Sequence, residues 1–464
     1  MSRAWERRRL VCIRSNGRRP AGPGTIERYG GAKPEACACS GRQDACAPCA
    51  MVYFDHKMNY DFVIVGGGIV GLALARELRQ RFPAQTIALF EKEGGVGKHA
   101  SGRNSGVLHS GIYYSPGSLK AKVSVEGRRL MTEYCEQNHL PLSRIGKVIL
   151  PVRETDDAQL DLLLSRAQSN GVRAELVDQK ALTEIEPEAK SCTGKALWVP
   201  DACIVESKII LAKIAEDLKS NRVDLRFGAK VESVDSKNSN LRVGPDTIHF
   251  GHLFNAAGAY ADIVAKAFDI GKRFTILPFK GIYYRLSPDS GLDIRHLIYA
   301  VPDLRVPFLG VHFMKTIGGE IYLGPTVIPA FGRENYTWLQ GLSLFDTGSI
   351  LYRIAEQYVH NRQGFRLLLH KEGRRFLRKY FAQAAQALVP AIRPKLLMTS
   401  NKVGIRAQLL DTEKKELVMD FVVERSANST HILNAVSPAF TSSFAFASMV
   451  LDEVSPQRYE GTKL

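Results

Sequence analysis

A short apolar run, Tyr60-Asp61-Phe62-Val63-Ile64-Val65, leads directly into Gly66-Gly67-Gly68-Ile69-Val70-Gly71. This junction restricts the fold more than any other part of the chain. The run is β-branched, short and continuous, as expected of a strand buried on both faces of a parallel sheet. The glycines read G-x-G-x-x-G. The next stretch, IVGLALARELRQRF, carries apolar residues at Ile69, Leu72, Leu74, Ala75 and Leu78 and predicts a helix. A second strand, TIALFE, ends at Glu91, 20 residues past Gly71. In such a unit Gly66 permits the tight turn, Gly68 lets the backbone approach a pyrophosphate, and Gly71 lets the helix pack closely on the strand. The helix start aims free N–H groups at the phosphates, and Glu91 can accept from ribose hydroxyls. Strand, glycines, helix, strand and acid in this order predict a dinucleotide site.

An acid at position 91 disfavours a 2′-phosphate, which argues against NADP. FAD and NAD both fit the first unit. The chain continues KEGGVGKHASGRNSGVLHSGIYYSPGSLKAK, a long polar loop in place of another α/β repeat. Its Ser101, Arg103, Asn104, Ser105 and Gly106 suit the wrapping of an extended anionic cofactor. Arg103 would pair with phosphate, and Asn104 and Ser105 would donate hydrogen bonds. A second G-x-G-x-x-G is absent from the sequence, so no separate nicotinamide domain is expected.

Of 464 residues, 63 are Lys or Arg and 47 Asp or Glu, a net charge of +16. Residues 1–57 hold 11 basic and 5 acidic residues, a net of +6, which leaves +10 on the rest. Such an excess suits an acidic substrate, an anionic cofactor or an anionic membrane face. No finger, basic zipper or RNA-binding signature supports a nucleic-acid partner. No run of 18 apolar residues predicts a spanning helix. Five of the eight cysteines, Cys12, Cys37, Cys39, Cys46 and Cys49, lie in the first 57 residues. The few in the body suit a reducing compartment. The one-residue spacer of Cys37-x-Cys39 is poor for zinc, and no metal site is expected. Residues 1–57 have no periodic apolar pattern and are expected to be a disordered basic extension. Met58 stands two residues before the first strand.

The fingerprint, SGRNSGVLHSGIYYSPGSLKA, LFNAAGAYAD and VPFLGVHF followed by GPT resemble the FAD-dependent amino-acid-oxidase-like superfamily. Within it they are most similar to the L-2-hydroxyglutarate dehydrogenase/oxidase family, from about Asn59 to about Val454. The resemblance implies FAD as cofactor and an α/β fold: a Rossmann-like FAD-binding domain with an antiparallel-sheet α+β substrate domain. The segments expected are 58–144, 201–271 and 397–464 for the FAD-binding domain, and 145–200 and 272–396 for the substrate domain. Residues 272–330, rich in β-branched and aromatic residues with many turns, predict the antiparallel sheet. DLRFGAKVESVDS resembles the segment that contacts the adenine half of FAD, which implies backbone contacts from Val231. Ala256, Ala257 and Gly258 allow close backbone approach to a cofactor. The resemblance places Ser437 to Ser443, with Thr441 and Ser442 among them, at a helix start facing the flavin pyrimidine edge. Residues 348–381 read as a basic amphipathic helical region able to lie on an anionic bilayer.

The activity implied is oxidation of L-2-hydroxyglutarate, or a similar 2-hydroxy acid, to the 2-oxo acid, with quinone or oxygen as electron acceptor. The alternatives are an amine or amino-acid oxidase and a glycerol-3-phosphate dehydrogenase-like enzyme. The protein is expected in the cytoplasm, with peripheral contact to the inner membrane. The chemistry needs a base for the hydroxyl proton and cations for the carboxylate. His109, in the flavin-proximal loop, is the first candidate base and His312 the alternative. Arg406 is the first candidate for the carboxylate and Lys280 the second, with Tyr283 or Tyr284 as a hydrogen-bond donor. Two positions depart from the family pattern. Ile282 stands where an acid usually follows the Gly of the PF-basic-Gly block, and Arg406-Ala407-Gln408 replaces R-P-Q.

Overall fold

The computed structural model describes residues 57–304, 308–337 and 339–454. The readings made for the cysteine-rich extension fall outside these residues, except that Lys57 begins the first strand.

Strand Lys57–Val65 lies inside an eight-stranded sheet, hydrogen-bonded in parallel to Ile87–Glu91 on one side and Asp246–Asn255 on the other. Asp224–Phe227 extends it beyond the second strand, and Ser429–Asn434 pairs in parallel with Asp246–Asn255. Phe62, Val63 and Ile64 are fully buried because both faces are covered. On one face Phe62 and Ile64 pack with Leu72, Leu74, Leu211, Met131 and Phe444, from helices Ile69–Arg81, Ser207–Ser220, Leu119–Gln137 and Ala439–Asp452. On the other, Val63 and Val65 meet Leu241, Phe250, Leu253 and Phe268. This is the doubly covered parallel sheet that the continuous apolar run demanded.

A second sheet has ten strands. Its centre is Phe274–Leu286, paired antiparallel with Leu397–Asp411 from Phe274 opposite Asp411 to Leu286 opposite Leu397. The sheet continues through Ile321–Gly324, His312–Lys315, Leu297–Ala300 and Lys147–Leu150. The last two of these run parallel to each other. Leu397–Asp411, expected within the third FAD-binding segment, is a strand of the second sheet. Its partner lies more than a hundred residues away, and such pairing leaves no local trace. Alternation along it buries Leu409 with Leu433 of the first sheet and Leu410 with Leu277 and Phe365. The strand thus joins both cores.

The basic region forms helices Leu344–His360, Phe365–Arg374 and Arg378–Gln386. They lean on the second sheet through Ile350, Phe365 and Phe381. Among the described residues, no helix is long and apolar enough to cross a membrane.

Candidate active site

The glycine corner is set by steric necessity. Gly66 has φ +110°, and a Cβ there would lie 2.4 Å from the Ala256 carbonyl oxygen. A Cβ on Gly71 would lie 2.0 Å from the Gly66 carbonyl oxygen, so only glycine lets the helix start this close to the turn. At Gly68 the same atom would sit 3.1 Å from Ser101 Oγ, a milder contact. The N-cap residue Gly68 offers no side chain and the first helical turn holds no acid, which leaves the amino end, apart from the Ile69 N–H, suited to an anion. Glu91 closes the corner: Gly67 N–H donates to its Oε2 at 2.7 Å and Glu93 N–H to its Oε1 at 2.9 Å. Each oxygen retains acceptor capacity for a ribose hydroxyl. Ala229 N–H donates to the Glu91 carbonyl, which runs the segment ending at Val231 beside that strand end. Gly258, at φ +57°, lies in the turn that follows Asn255, with nothing within 4 Å of a Cβ built there. The residues at this corner fit a diphosphate-bridged dinucleotide.

The polar loop is organised differently from the sequence expectation. Ser101 Oγ accepts from Ile69 N–H at 2.9 Å and ties the loop to the helix start. Asn104 Nδ2 donates to the Ser101 carbonyl, while its Oδ1 accepts from Gly106 N–H and the Ser207 hydroxyl. Ser105 Oγ accepts from Val107 N–H. Arg103 Nε donates to the Lys98 carbonyl at 2.7 Å, and its guanidinium lies 4.2 Å from the Tyr336 ring centre. Arg103, Asn104 and Ser105, expected at the cofactor, make these contacts within the loop. Their polar groups bind the loop to itself and to its neighbours, because a long loop must satisfy its own backbone. Gly106, at φ +75°, packs against the Val205 carbonyl. Further along, Lys92 bridges Glu93 and Glu334, and His99 hydrogen-bonds Tyr336. The ammonium occupies the middle of the Glu93–His99–Glu334 group, where a metal would sit.

At the other end, Ser437 precedes helix Ala439–Asp452 and contacts the Tyr114 hydroxyl. Thr441 Oγ1 accepts from His109 N–H at 3.0 Å, and Ser442 Oγ lies 3.4 Å from Ser124 Oγ. Gly127 allows this approach: a Cβ there would lie 2.5 Å from Ser442 Cα. The Thr441 and Ser442 side chains therefore hold the helix and the His109 loop in place.

One face of the ten-stranded sheet carries the titratable groups. Alternation aligns Lys147 and Ile149, Leu297 and Tyr299, His312, Tyr283 and Arg406 on that face. His312 stacks on Tyr299 with ring centres 4.0 Å apart, and its Nδ1 lies 2.8 Å from the Gly310 carbonyl. A carbonyl only accepts, so Nδ1 holds the proton and Nε2 is left with its lone pair. Burial, helped by the Arg406 and Lys147 charges, lowers His312 to about 3. Burial, then Lys147, His312 and Arg406, lowers His109 to about 3 as well. Both imidazoles are neutral at pH 7. Burial also lowers Arg406, which remains charged, and raises Tyr283.

The same geometry sets Lys280 apart. It alternates with Tyr283 along Phe274–Leu286, so it projects from the opposite face, where Nζ donates to Asn335 Oδ1 at 2.8 Å. Lys280, the second candidate for the carboxylate, therefore does not share a face with Arg406 and His312. Ile282 shares its face, so the departure from the family acid lies away from the His312 face. Gln408 is buried, with Nε2 donating to the Val418 carbonyl.

Sequence reasoning missed three residues of the cluster: Lys147, Tyr113 and Tyr299. Lys147 is 1% exposed, with Nζ 4.8 Å from the Tyr113 ring centre and 5.3 Å from that of Tyr299. Burial, then Arg128, lowers it to about 7. The signal was present in IGKVILPV, where one lysine interrupts an apolar strand.

A glycine corner that fits a diphosphate, in a chain that also gathers neutral imidazoles and cations on one sheet face, suits a dinucleotide-dependent oxidoreductase. The family model described as FAD dependent oxidoreductase matches residues 61–453, and the chain belongs to that family. Within it the chain groups with the L-2-hydroxyglutarate dehydrogenases. It is 37% identical over 412 residues to the mitochondrial enzyme of that name from Caenorhabditis briggsae, covering 85% of this chain and 93% of the relative. To the Indibacter alkaliphilus enzyme it is 35% identical over 408 residues, covering 85% and 98%. To the human mitochondrial enzyme it is 32% identical over 467 residues, covering 93% and 96%. Among solved structures, FAD-bound L-alpha-glycerophosphate oxidase from Mycoplasma pneumoniae superposes with a TM-score of 0.65 at 19% identity, covering 85% of this chain and 95% of that one. Glycine oxidase from Geobacillus kaustophilus gives 0.60, also at 19%, covering 86% and 96%. These two show the shared fold.

Proposed function

We propose that the protein oxidises L-2-hydroxyglutarate, or a closely similar 2-hydroxy dicarboxylate, to the 2-oxo acid. The observation that carries this reading is the Arg406 guanidinium, which has no hydrogen-bonded anion among the described residues, on the same face as two neutral imidazoles. Glu372 acts on this guanidinium only through space, its own oxygens being engaged by Arg375 and the Val327 N–H, so the hydrogen-bonding capacity of Arg406 is matched to a carboxylate from outside. The names of the relatives support the substrate class.

FAD, when bound, supplies the two-electron acceptor for the hydride from C2. Arg406 orients the substrate carboxylate. His312 Nε2 takes the hydroxyl proton as the carbonyl forms, its tautomer fixed by Gly310. The bound carboxylate adds negative charge beside His312 and raises its affinity for that proton. His109 lines the same pocket from the loop pinned by Thr441. The apolar and aromatic surroundings exclude water from the reacting face.

Anaerobic mixing of the holoprotein with L-2-hydroxyglutarate should bleach the visible flavin absorption. Bleaching by glycine, sarcosine or glycerol 3-phosphate, and none by 2-hydroxy acids, would overturn the assignment.

The same proposal extends to the electron acceptor and the location. Leu344 is 98% exposed and Phe345 87% at the start of helix Leu344–His360, and Arg362, Arg366, Lys371 and Arg374 are exposed beyond its other end. An exposed apolar pair and an exposed basic segment in one helical region suit peripheral contact with an anionic bilayer and electron delivery to quinone there. Co-sedimentation with anionic vesicles, and none with neutral ones, supports this arm. Oxygen consumption matching substrate turnover without quinone would replace it.

A further inference from the structure

The Lys147 side chain is a donor without an acceptor. No hydrogen bond of its ammonium is recorded among the described residues, and the rings of Tyr113 and Tyr299 lie against it, with the Arg128 charge also acting on it. The hydroxyls of both tyrosines are buried and have no hydrogen-bond partner, and so is that of Ser110 in the His109 loop. Leaving a buried polar group unpaired is costly, and several such donors converging on one place call for an anion with several acceptor oxygens. Cation–π contact with two rings holds the ammonium in position without neutralising it.

The place of this group on the sheet matters as much as its chemistry. From Arg406 to Lys147 the strand order passes through five spacings, with His312 between them. The backbones stand roughly 24 Å apart at the usual strand separation. Two long side chains reaching inward from the ends shorten that gap to the scale of a short dicarboxylic acid. Both cations act on His109 and on His312, so they bracket the imidazoles from two sides.

We propose that Lys147, with the Tyr113 and Tyr299 hydroxyls, seats the carboxylate remote from the reacting carbon, and so selects dicarboxylates over monocarboxylates. This inference rests on the 2-hydroxy dicarboxylate reading and names its specificity residue. Arg406 takes the carboxylate next to the reacting C2, and Lys147 the one at the far end. The Tyr hydroxyls, weak acids raised by burial, act as donors only.

The test compares L-2-hydroxyglutarate with L-2-hydroxyvalerate, which has the same chain length and a methyl group in place of the far carboxylate. Flavin reduction of the holoprotein is followed anaerobically for the unaltered chain, Lys147→Met and Lys147→Arg. The ratio of kcat/KM between the two substrates should fall about 100-fold in Lys147→Met, the scale of a lost charge-assisted carboxylate bond. Lys147→Arg should recover part of it. A ratio that does not move, because both substrates are affected alike or neither is, overturns the proposal. A measurement on the unaltered holoprotein guards against a variant that does not fold. Glutarate should perturb the flavin spectrum at lower concentration than pentanoate does, and equal affinities also overturn the proposal. If no 2-hydroxy acid reduces the flavin, the substrate reading falls by itself, and the glutarate–pentanoate comparison still decides whether this seat exists.

Discussion

The His312 imidazole lies over the Tyr299 phenol, with ring centres 4.0 Å apart and planes inclined by 21°. The stack fixes the plane of the imidazole, and the Gly310 carbonyl fixes which nitrogen carries hydrogen. A base whose orientation and tautomer are both set before substrate arrives is preorganised for proton transfer.

Replacing His312 with Asn should slow flavin reduction by on the order of 10²–10⁴, the usual weight of a general base. The KM should change little, because the carboxylate contacts remain. His109→Asn should have the smaller effect. Stopped-flow reduction of both variants ranks them, and the reverse order would make His109 the base.

Gly71→Ala should yield a protein that purifies without flavin colour or does not accumulate. Its Cβ would collide with the Gly66 carbonyl at 2.0 Å, between two backbone elements that cannot part without moving the helix. Gly68→Ala should be milder, since its nearest neighbour is the rotatable Ser101 hydroxyl at 3.1 Å. The ratio of absorbance at 450 nm to that at 280 nm would report the order, the wavelengths being those of roughly any bound flavin and protein.

Arg406→Met should raise the KM for L-2-hydroxyglutarate and L-2-hydroxyvalerate together, each by about 100-fold, because both share the carboxylate beside C2. Lys280→Met should leave both nearly unchanged, its ammonium being committed to Asn335 on the other face. Steady-state kinetics with a dye acceptor separates the two.

Acid should destabilise the fold through its buried imidazoles. His109 and His312 are lowered to about 3 and His431 to about 4, each chiefly by burial. Between pH 6.5 and these values the unfolded chain binds protons that the folded chain refuses, so stability falls as pH falls. The loss for fully buried His312 is about 1.4 kcal/mol per pH unit across that window. Thermal unfolding at pH 7 and pH 5 should show a lower midpoint at pH 5. His312→Asn should reduce that difference, and an unchanged difference would contradict the assignment.

Leu344→Asp with Phe345→Asp should abolish binding to anionic vesicles and leave dye-linked turnover intact, since both side chains point to solvent at 98% and 87% exposure. Vesicle flotation of the holoprotein provides the measurement. Retained flotation would place any membrane contact elsewhere.

The cofactor corner was legible because all its constraints are local. Val63 to Gly71 specify a buried strand, a sharp turn and a close helix start within nine consecutive residues. Glycine spacing records backbone collisions directly, as Gly66 and Gly71 demonstrate. His109 and Arg406 were singled out as well, through the motifs that hold them. The second sheet was foreseen as an antiparallel region, but its pairing with Leu397–Asp411 was not, and neither was the Lys147 cluster. Lys147, Tyr299, His312 and Arg406 come from four strands dispersed over 260 positions of chain, from 147 to 406. Nothing local distinguishes Arg406 from Lys280, two basic residues on neighbouring strands. Register decides between them, because a side-chain period of two sends one to the His312 face and the other away. Local steric demands therefore wrote the glycine corner into the sequence, whereas strand pairing alone gathered Lys147, Tyr299, His312 and Arg406 on one face.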